Sequence, residues 1–317
     1  MRQIWRKMLA AVSRSLAGGT PTGASFYGRL ADCPRKHFHS VVQGLVSINQ
    51  ARPVYFDRGS LFHAAAAAYY EVTRCSGQRP DPNDLRSEFI EASAFIDLDP
   101  KEEADVWAAF TRWCLWERDP KVYGSWKPIA VEVPLAASYQ VEQTSFGLTA
   151  KVDVIMHDSV GTTFAMDHKF TSMERGSVET SYLLSTEIAT TLLCARDGII
   201  ASGSGWKGMS KGSSFTDKDG ISIGSLIPLR YVFVNNVFNR TTPPPGRGAS
   251  IMMSDEVLDG FVQSIARSLA IDIGDQDDIR TWMQRGLLNG ACRDHGRGRC
   301  VFMDLCSEPT RGGGLYQ

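Results

Sequence analysis

The chain has 317 residues, 43% hydrophobic and 22% charged, close to the globular average; this excludes a disordered, collagen-like or coiled-coil protein and allows one elaborated domain or two. Thirty-four Lys and Arg stand against 35 Asp and Glu, a formal net charge of -1, so no global basic excess draws the chain to a polyanion and any such site must be local. No apolar run approaches the roughly 18 residues of a membrane span, so no membrane association is expected.

In chain order, the first 31 residues carry Arg2, Arg6, Lys7, Arg14 and Arg29 and no acid. This reads as a solvated basic arm or, alternatively, as a transit segment that would send the protein to the mitochondrial matrix. Seven cysteines are an odd number, and with no secretory signal apparent they point to a reducing compartment, the cytoplasm. Cys33 precedes Pro34, which favours the first turn of a helix, so the thiol would sit where the helix dipole favours thiolate. Residues 59–71, GSLFHAAAAAYYE, read as a helix whose five alanines allow close packing on a sheet. It carries His63, either a structural histidine or a metal donor.

Residues 81–119 hold eleven acidic and four basic side chains. Their apolar positions, Leu85, Phe89, Ala92 and Phe95 and then Val106, Phe110, Trp113 and Leu115, recur at helical spacing, which makes the charges a solvated face. From residue 128 the period becomes two, with Ile129, Val131, Val133 and Leu135 alternating against Ala130, Glu132 and Pro134. Strands over 148–156 and 162–170, joined by a turn at 157–161, complete a meander. A helix over 182–196 follows, then a Gly/Ser/Lys-rich stretch over 202–225 that reads as a flexible insertion. Next come a strand over 229–237, a break at 241–246, a helix from Ser254 carrying Val257, Phe261, Ile265 and Leu269, and a shorter helix over 277–288. Cys75, Cys114 and Cys194 fall in apolar helical patterns and are expected to be buried. The order of elements is that of a mixed α/β protein without internal repeats.

FAMDHKF, residues 164–170, carries the chemistry. Strand geometry puts Ala165, Asp167 and Lys169 on one face and Phe164, Met166, His168 and Phe170 on the other. Folding the hairpin brings Asp153 opposite residues near 166, so two carboxylates and a lysine converge. Mg²⁺ takes one or two carboxylates plus water and phosphate, and a neighbouring ammonium can orient water and offset charge on phosphate. The chemistry indicated is phosphodiester hydrolysis; the alternative is an ion pair on a solvated strand. Glu132, on the polar face of the preceding strand, is either a further ligand or an exposed glutamate.

Near the C-terminus, Cys292, Cys300 and Cys306 fall within fifteen residues, where composition predicts about 0.3 cysteines. No Cys-x₂₋₄-Cys knuckle of a structural zinc site is present, which favours an iron–sulfur cluster needing a fourth thiolate, with Cys33 the best candidate.

Cys33-Pro34, Gly59 to His63, Glu132, Gly147 to Asp153, Asp167-His168-Lys169 and the spaced terminal cysteines occur in an order that resembles the RecB-type PD-(D/E)XK nucleases with an iron–sulfur cluster. That group includes CRISPR-adaptation exonucleases, AddB-type helicase-nuclease subunits and phage-encoded exonucleases. The resemblance implies an α/β, restriction-endonuclease-like core: a central mixed β-sheet flanked by helices, with N- and C-terminal helical regions joined by a cysteine-ligated cluster. The expected divisions are a basic arm at 1–25, a helical region at 26–125, the nuclease core at 126–240 and C-terminal helices with the cysteines at 241–317. By resemblance, His63, Asp153 and Asp167 would hold Mg²⁺ or Mn²⁺, Lys169 would be the catalytic lysine and Glu132 would support them. Cys33, Cys292, Cys300 and Cys306 would bind a structural [4Fe-4S] cluster, with Zn²⁺ as the alternative.

The expected activity is a metal-dependent DNA exonuclease acting on single-stranded DNA or ends in recombination, repair or phage DNA metabolism, with a helicase or recombinase as possible partner. The alternative is an inactive DNA-binding module derived from such a nuclease. Two features depart from the family. Its Gln-x-x-x-Tyr element is replaced by Glu187 with Thr191, placing a carboxylate where phosphate is expected. The terminal cysteine spacing lacks Cys-x-x-Cys and is closer to the phage type. Arg35, Lys36, Arg293, Arg297 and Arg299, with Glu187, are the expected DNA-contacting residues.

Overall fold

The structure, a computed structural model, describes residues 23, 24, 27, 33, 34, 54–96, 98–119, 126–171, 182, 185–197, 199–200, 214–216, 222–225, 231–238 and 246–272. The chain divides into two compact units. One comprises Met1–Gly18, Pro53–Ala137 and Ala150–Met253; the other comprises Gly19–Arg52, Ser138–Thr149 and Ser254–Gln317.

The first unit is built on a long helix, α1 (Val54–Ser76). Leu61, Phe62, the alanines from 64 to 68, Tyr69 and Tyr70 are all buried on it, and the run of small side chains lets the helix approach its neighbours closely. Below it, Asp81 caps a short 3-10 turn, Pro82–Leu85, which leads into α2 (Arg86–Ser93). Helix α3 (Pro100–Glu117) is capped by Asp99, whose carboxylate accepts from the amides of Lys101 and Glu102, with Pro100 in the first turn. An Arg58–Glu102 ion pair ties α1 to α3.

Most of the acidic charge on α2 and α3 is solvated, but the buried stripe of α3 runs Val106, Phe110, Trp113, Glu117. Leu115, expected in the core, is 58% exposed, and Phe95 is exposed likewise. The spacing of four from Trp113 carries the stripe to Glu117, which is 0% exposed.

Six strands form one mixed sheet in the order β4-β1-β2-β3-β7-β8: β1 (Lys127–Val141), β2 (Thr144–His157), β3 (Thr163–Thr171), β4 (Ile199–Ile200), β7 (Val232–Phe238) and β8 (Gly246–Ile251). β2 and β3 are antiparallel, with Val154 opposite Met166 and His157 opposite Thr163. β3 runs parallel to β7, and β8 returns antiparallel to β7. Between β2 and β3, Asp158 Oδ1 accepts from the amides of Val160 and Thr162, and Gly161 takes the positive φ the turn requires. Helix α4 (Thr186–Asp197) leads from β3 toward β4. Within the stretch read as a flexible insertion, β5 (Ser214–Thr216) and β6 (Ser222–Ser225) pair as a separate antiparallel sheet.

Strand β1 departs from the expected alternation. Pro128 and Ala130 point into the core, and after Glu132 it is Val133, Leu135 and Ala137 that do so, while Ile129 and Val131 are half-buried. Glu132 has φ +55°. One extra residue in the left-handed region forms a β-bulge, which shifts the inward face by one position. Cys114 and Cys194 are buried as expected, but Cys75 is exposed in the last turn of α1.

The second unit contains the tip of the β1–β2 hairpin, where Tyr27 donates its hydroxyl to the carbonyl of Gly147 and meets Phe146 edge-on. Helix α5 (Asp255–Asp272) belongs to it. Its buried stripe is Leu258, Val262, Ile265 and Ala266; Val257 is exposed, so the inner face is turned from the expected one. The helix expected over 277–288 lies outside the described residues.

Candidate active site

One residue beyond the Val154–Met166 pair, the same register sets Asp153 against Asp167. Asp153 Oδ2 accepts a hydrogen bond from the His168 amide at 2.9 Å and lies 3.2 Å from His63 Nδ1 on α1. Lys169 Nζ lies 2.9 Å from Asp167 Oδ2 and 2.8 Å from Glu187 Oε1, in the first turn of α4. Two strands and two helices thus bring His63, Asp153, Asp167, Lys169 and Glu187 together. Glu132 is engaged differently: its carboxylate pairs with Lys151, two residues before Asp153 and therefore on the same face of β2.

Burial would raise the Asp153 pKa, but the charge and hydrogen bond of His63, with the His168 amide, hold it well below the usual carboxylate range. Burial alone would lower His63; the Asp153 carboxylate outweighs it and the pKa rises. Asp167 is driven upward, first by burial and then by the charges of Glu187 and Asp153, against the opposing pull of Lys169. Burial works against the Lys169 ammonium, yet Asp167 and Glu187 more than offset it and keep the group charged. On the other side of β3, His168 is buried and its pKa is pushed down to about 3, so the ring is neutral.

Asp167 Oδ2 is buried and accepts no hydrogen bond of proper geometry; its 2.9 Å approach to Lys169 is an ion pair, while the Lys169 hydrogen bond goes to Oδ1 at 3.1 Å. The Lys169 ammonium is thus the cation nearest both oxygens of this buried carboxylate. Among the described residues no three His, Cys, Asp or Glu side chains stand close enough to form a metal cage. The two carboxylates of Asp153 and Asp167 nevertheless suit Mg²⁺ or Mn²⁺, because Mg²⁺ binds through one or two carboxylates and keeps water and phosphate for its other positions, and the His63 imidazole could join them only after losing its proton.

Of the cluster cysteines, Cys33 is buried and immediately precedes the helical residue Pro34. Cys292, Cys300 and Cys306 lie outside the described residues, as do Arg35, Lys36, Arg293, Arg297 and Arg299. Three residues near the site escaped sequence reasoning: Lys151, Tyr70 and Glu117. The first two could have been found, Lys151 from its spacing of two before Asp153 and Tyr70 from its place on the alanine-rich helix. Glu117 carried only the signal of a spacing of four after Trp113. Among the described residues no helix is long and apolar enough to cross a membrane.

The family model that matches is that of the PD-(D/E)XK nuclease superfamily, over residues 23–199. No curated protein sequence matches the chain. Among solved structures, the crystal structure of SSO0001 is similar at 7% identity, covering 72% of this chain and 82% of that one, with a TM-score of 0.28; a likeness so low carries no argument.

Proposed function

The chain belongs to the PD-(D/E)XK nuclease superfamily, and from that premise we propose that it is a metal-dependent DNA exonuclease acting on single-stranded DNA or DNA ends. The observation that carries this reading is the convergence of Asp153, Asp167 and Lys169 at one point of the β2–β3 hairpin, with His63 closing it from α1.

Asp153 and Asp167, with His63, would hold Mg²⁺ or Mn²⁺. Bound there, the ion would lower the pKa of water and offset charge on the scissile phosphate. Asp153 is presented as a carboxylate by His63 and by the His168 amide. Lys169, held charged between two carboxylates, would orient the attacking water and stabilise the oxyanions that develop on phosphorus. Glu132 would act through Lys151, with which it pairs and which shares a face of β2 with Asp153.

We further propose that Cys33, Cys292, Cys300 and Cys306 bind a structural [4Fe-4S] cluster, Zn²⁺ being the alternative. In its support, Cys33 is buried and immediately precedes the helical residue Pro34. Repair, recombination or phage DNA metabolism, with a helicase or recombinase partner, is the setting we infer for such an activity.

A second reading, a DNA-binding module without catalysis, draws on the Lys169–Glu187 contact at 2.8 Å, which occupies the ammonium. End-labelled linear single-stranded DNA, linear duplex and closed circular DNA, each with Mg²⁺ or Mn²⁺, separate the readings. We expect mononucleotides or short products from linear DNA and none from circles. Lys169→Ala should lower the rate by about 100-fold or more, the scale of losing an electrostatic stabiliser of the transition state. Binding without cleavage in both metals would refute the enzyme reading, and cutting of circles would make the protein an endonuclease.

A further inference from the structure

Behind the carboxylates, on the opposite face of β3, a line of buried polar groups runs through four segments of the first unit. Tyr70 Oη on α1 lies 2.9 Å from Glu117 Oε1 on α3 and 3.2 Å from His168 Nε2 on β3. Arg79, beyond the end of α1, donates from Nη1 to the same Glu117 oxygen at 3.0 Å and from Nη2 to the Trp126 carbonyl at 2.9 Å. The His168 ring is boxed by Tyr70, stacked at 5.7 Å and 19°, by the edge of Trp113 at 5.3 Å and by Phe62 at 6.1 Å.

The hydroxyl of Tyr70 has one proton to give. Burial pushes the Glu117 pKa up to about 7; above that pH the carboxylate is ionised, Oε1 accepts from both Arg79 and Tyr70 in preference to the weaker Met166 sulfur at 3.2 Å, and the Tyr70 oxygen is left to accept from His168. The imidazole proton therefore sits on Nε2. The line has one direction, His168 to Tyr70 to Glu117, and bonds arranged head to tail in a low-dielectric interior reinforce one another.

An apolar trio would fill this space without the penalty of burying a carboxylate, a phenol and an imidazole. Their effect is felt on the other face of the strand, where the amide of this same His168 donates to Asp153 Oδ2 at 2.9 Å. A strand residue whose ring is pinned on one side and whose amide holds a carboxylate on the other fixes the orientation of both. We propose that Glu117, Tyr70 and His168 are positioning residues for Asp153, setting its carboxylate for a divalent cation. The inference rests on the nuclease reading only in taking Asp153 as a metal ligand.

The test uses the full chain. Titration with Mn²⁺ alone by calorimetry is read beside kcat and KM on labelled DNA for Tyr70→Phe, His168→Phe, the double variant and Phe110→Leu. Phe110→Leu loosens the same aromatic core without removing a polar group. Each polar variant should lose about 10–100-fold in Mn²⁺ affinity and in kcat, the usual effect of removing a partner that orients a ligand, while KM for DNA stays within about twofold. The double variant should lose no more than either single one, because one line is broken in both. Phe110→Leu should keep both quantities at a comparable melting temperature.

In the unmodified protein, nitrogen-15 spectra of the His168 ring should show a protonated Nε2, a signature that depends on no variant's folding. A proton on Nδ1, unchanged Mn²⁺ affinity in Tyr70→Phe and His168→Phe, additive losses, or equal loss in Phe110→Leu would each overturn the proposal. So would an unmodified protein that binds no Mn²⁺. If Mn²⁺ binding follows the expected pattern but no DNA is cut, the nuclease reading fails alone; if DNA is cut while Mn²⁺ affinity ignores the line, the positioning role fails alone.

Discussion

Glu187 is 51% exposed and 2.8 Å from the Lys169 ammonium, so on the proposed nuclease reading its charge would stand where a DNA phosphate arrives. Glu187→Gln removes one negative charge and leaves Lys169 held by Asp167. At low salt KM for DNA should fall about threefold, with the difference fading by about 0.5 M salt as screening shortens the reach of an exposed charge. A rise in KM would mean instead that Glu187 receives phosphate through a bound cation. The pH dependence is shared between Asp167, whose pKa burial pushes up to about 7, and His63. The His63 pKa in the fold lies above the ordinary 6.5 because Asp153 faces it, so the ion pair stabilises the metal-free protein fully below pH 6.5 and this stability is lost as pH rises through the raised pKa. A cation at Asp153 competes with that proton. Mn²⁺ affinity should therefore climb with pH across this interval, and His63→Gln should lessen the climb in a calorimetric titration repeated at several pH values, leaving the part that follows ionisation of Asp167.

At the scale of the element, what was legible depended on whether a local period governed the outcome. The β2–β3 hairpin followed from two apolar, β-branched and aromatic runs joined by an Asp/Gly turn, and it fixed Asp153, Asp167 and Lys169 relative to one another because all three lie on adjoining strands. The β1 bulge was not legible: a glutamate at φ +55° is a tertiary outcome that local propensity disfavours. Strand β8, GRGASI, has few β-formers and starts at the end of the break over 241–246, so no strand is expected there; its pairing with β7 supplies what its composition does not. The buried Glu117 closes an otherwise apolar stripe on α3, where a charge is normally taken as solvated, so the polar line behind His168 needed the fold to be seen. The two-residue turn between β1 and β2 gives a prediction. Glu142 adopts φ +52° in an exposed position where hairpins favour Asn or Gly. Glu142→Gly should stabilise the protein by about 0.5–1 kcal/mol by relieving the left-handed conformation, visible as a raised denaturant midpoint with an unchanged slope.

For the whole molecule, a net charge of -1 gives no global attraction for DNA, and on the proposed reading the site would be what lets such a chain hold phosphate. Asp153, Asp167 and Glu187 outnumber Lys169, so a bound divalent cation would reverse the local sign where the phosphate lands. Stability at this scale is a separate matter from chemistry. Cys33 belongs to one compact unit, while His63, Asp153, Asp167 and Lys169 all lie in the other. A cluster bound by the four cysteines would join residues distant in sequence and restrict the unfolded chain, as any long-range cross-link does. Anaerobically purified protein should then be brown and contain about four irons and four sulfides per chain. Cys33→Ser should lose iron and lower the melting temperature by several degrees, about the shift that a loss of a few kcal/mol produces. Lys169→Ala should keep iron, colour and melting temperature while losing cleavage. If Cys33→Ser keeps its iron and its melting temperature, Cys33 is not a ligand; if the protein carries one zinc and no sulfide, the joint between the ends is a zinc site.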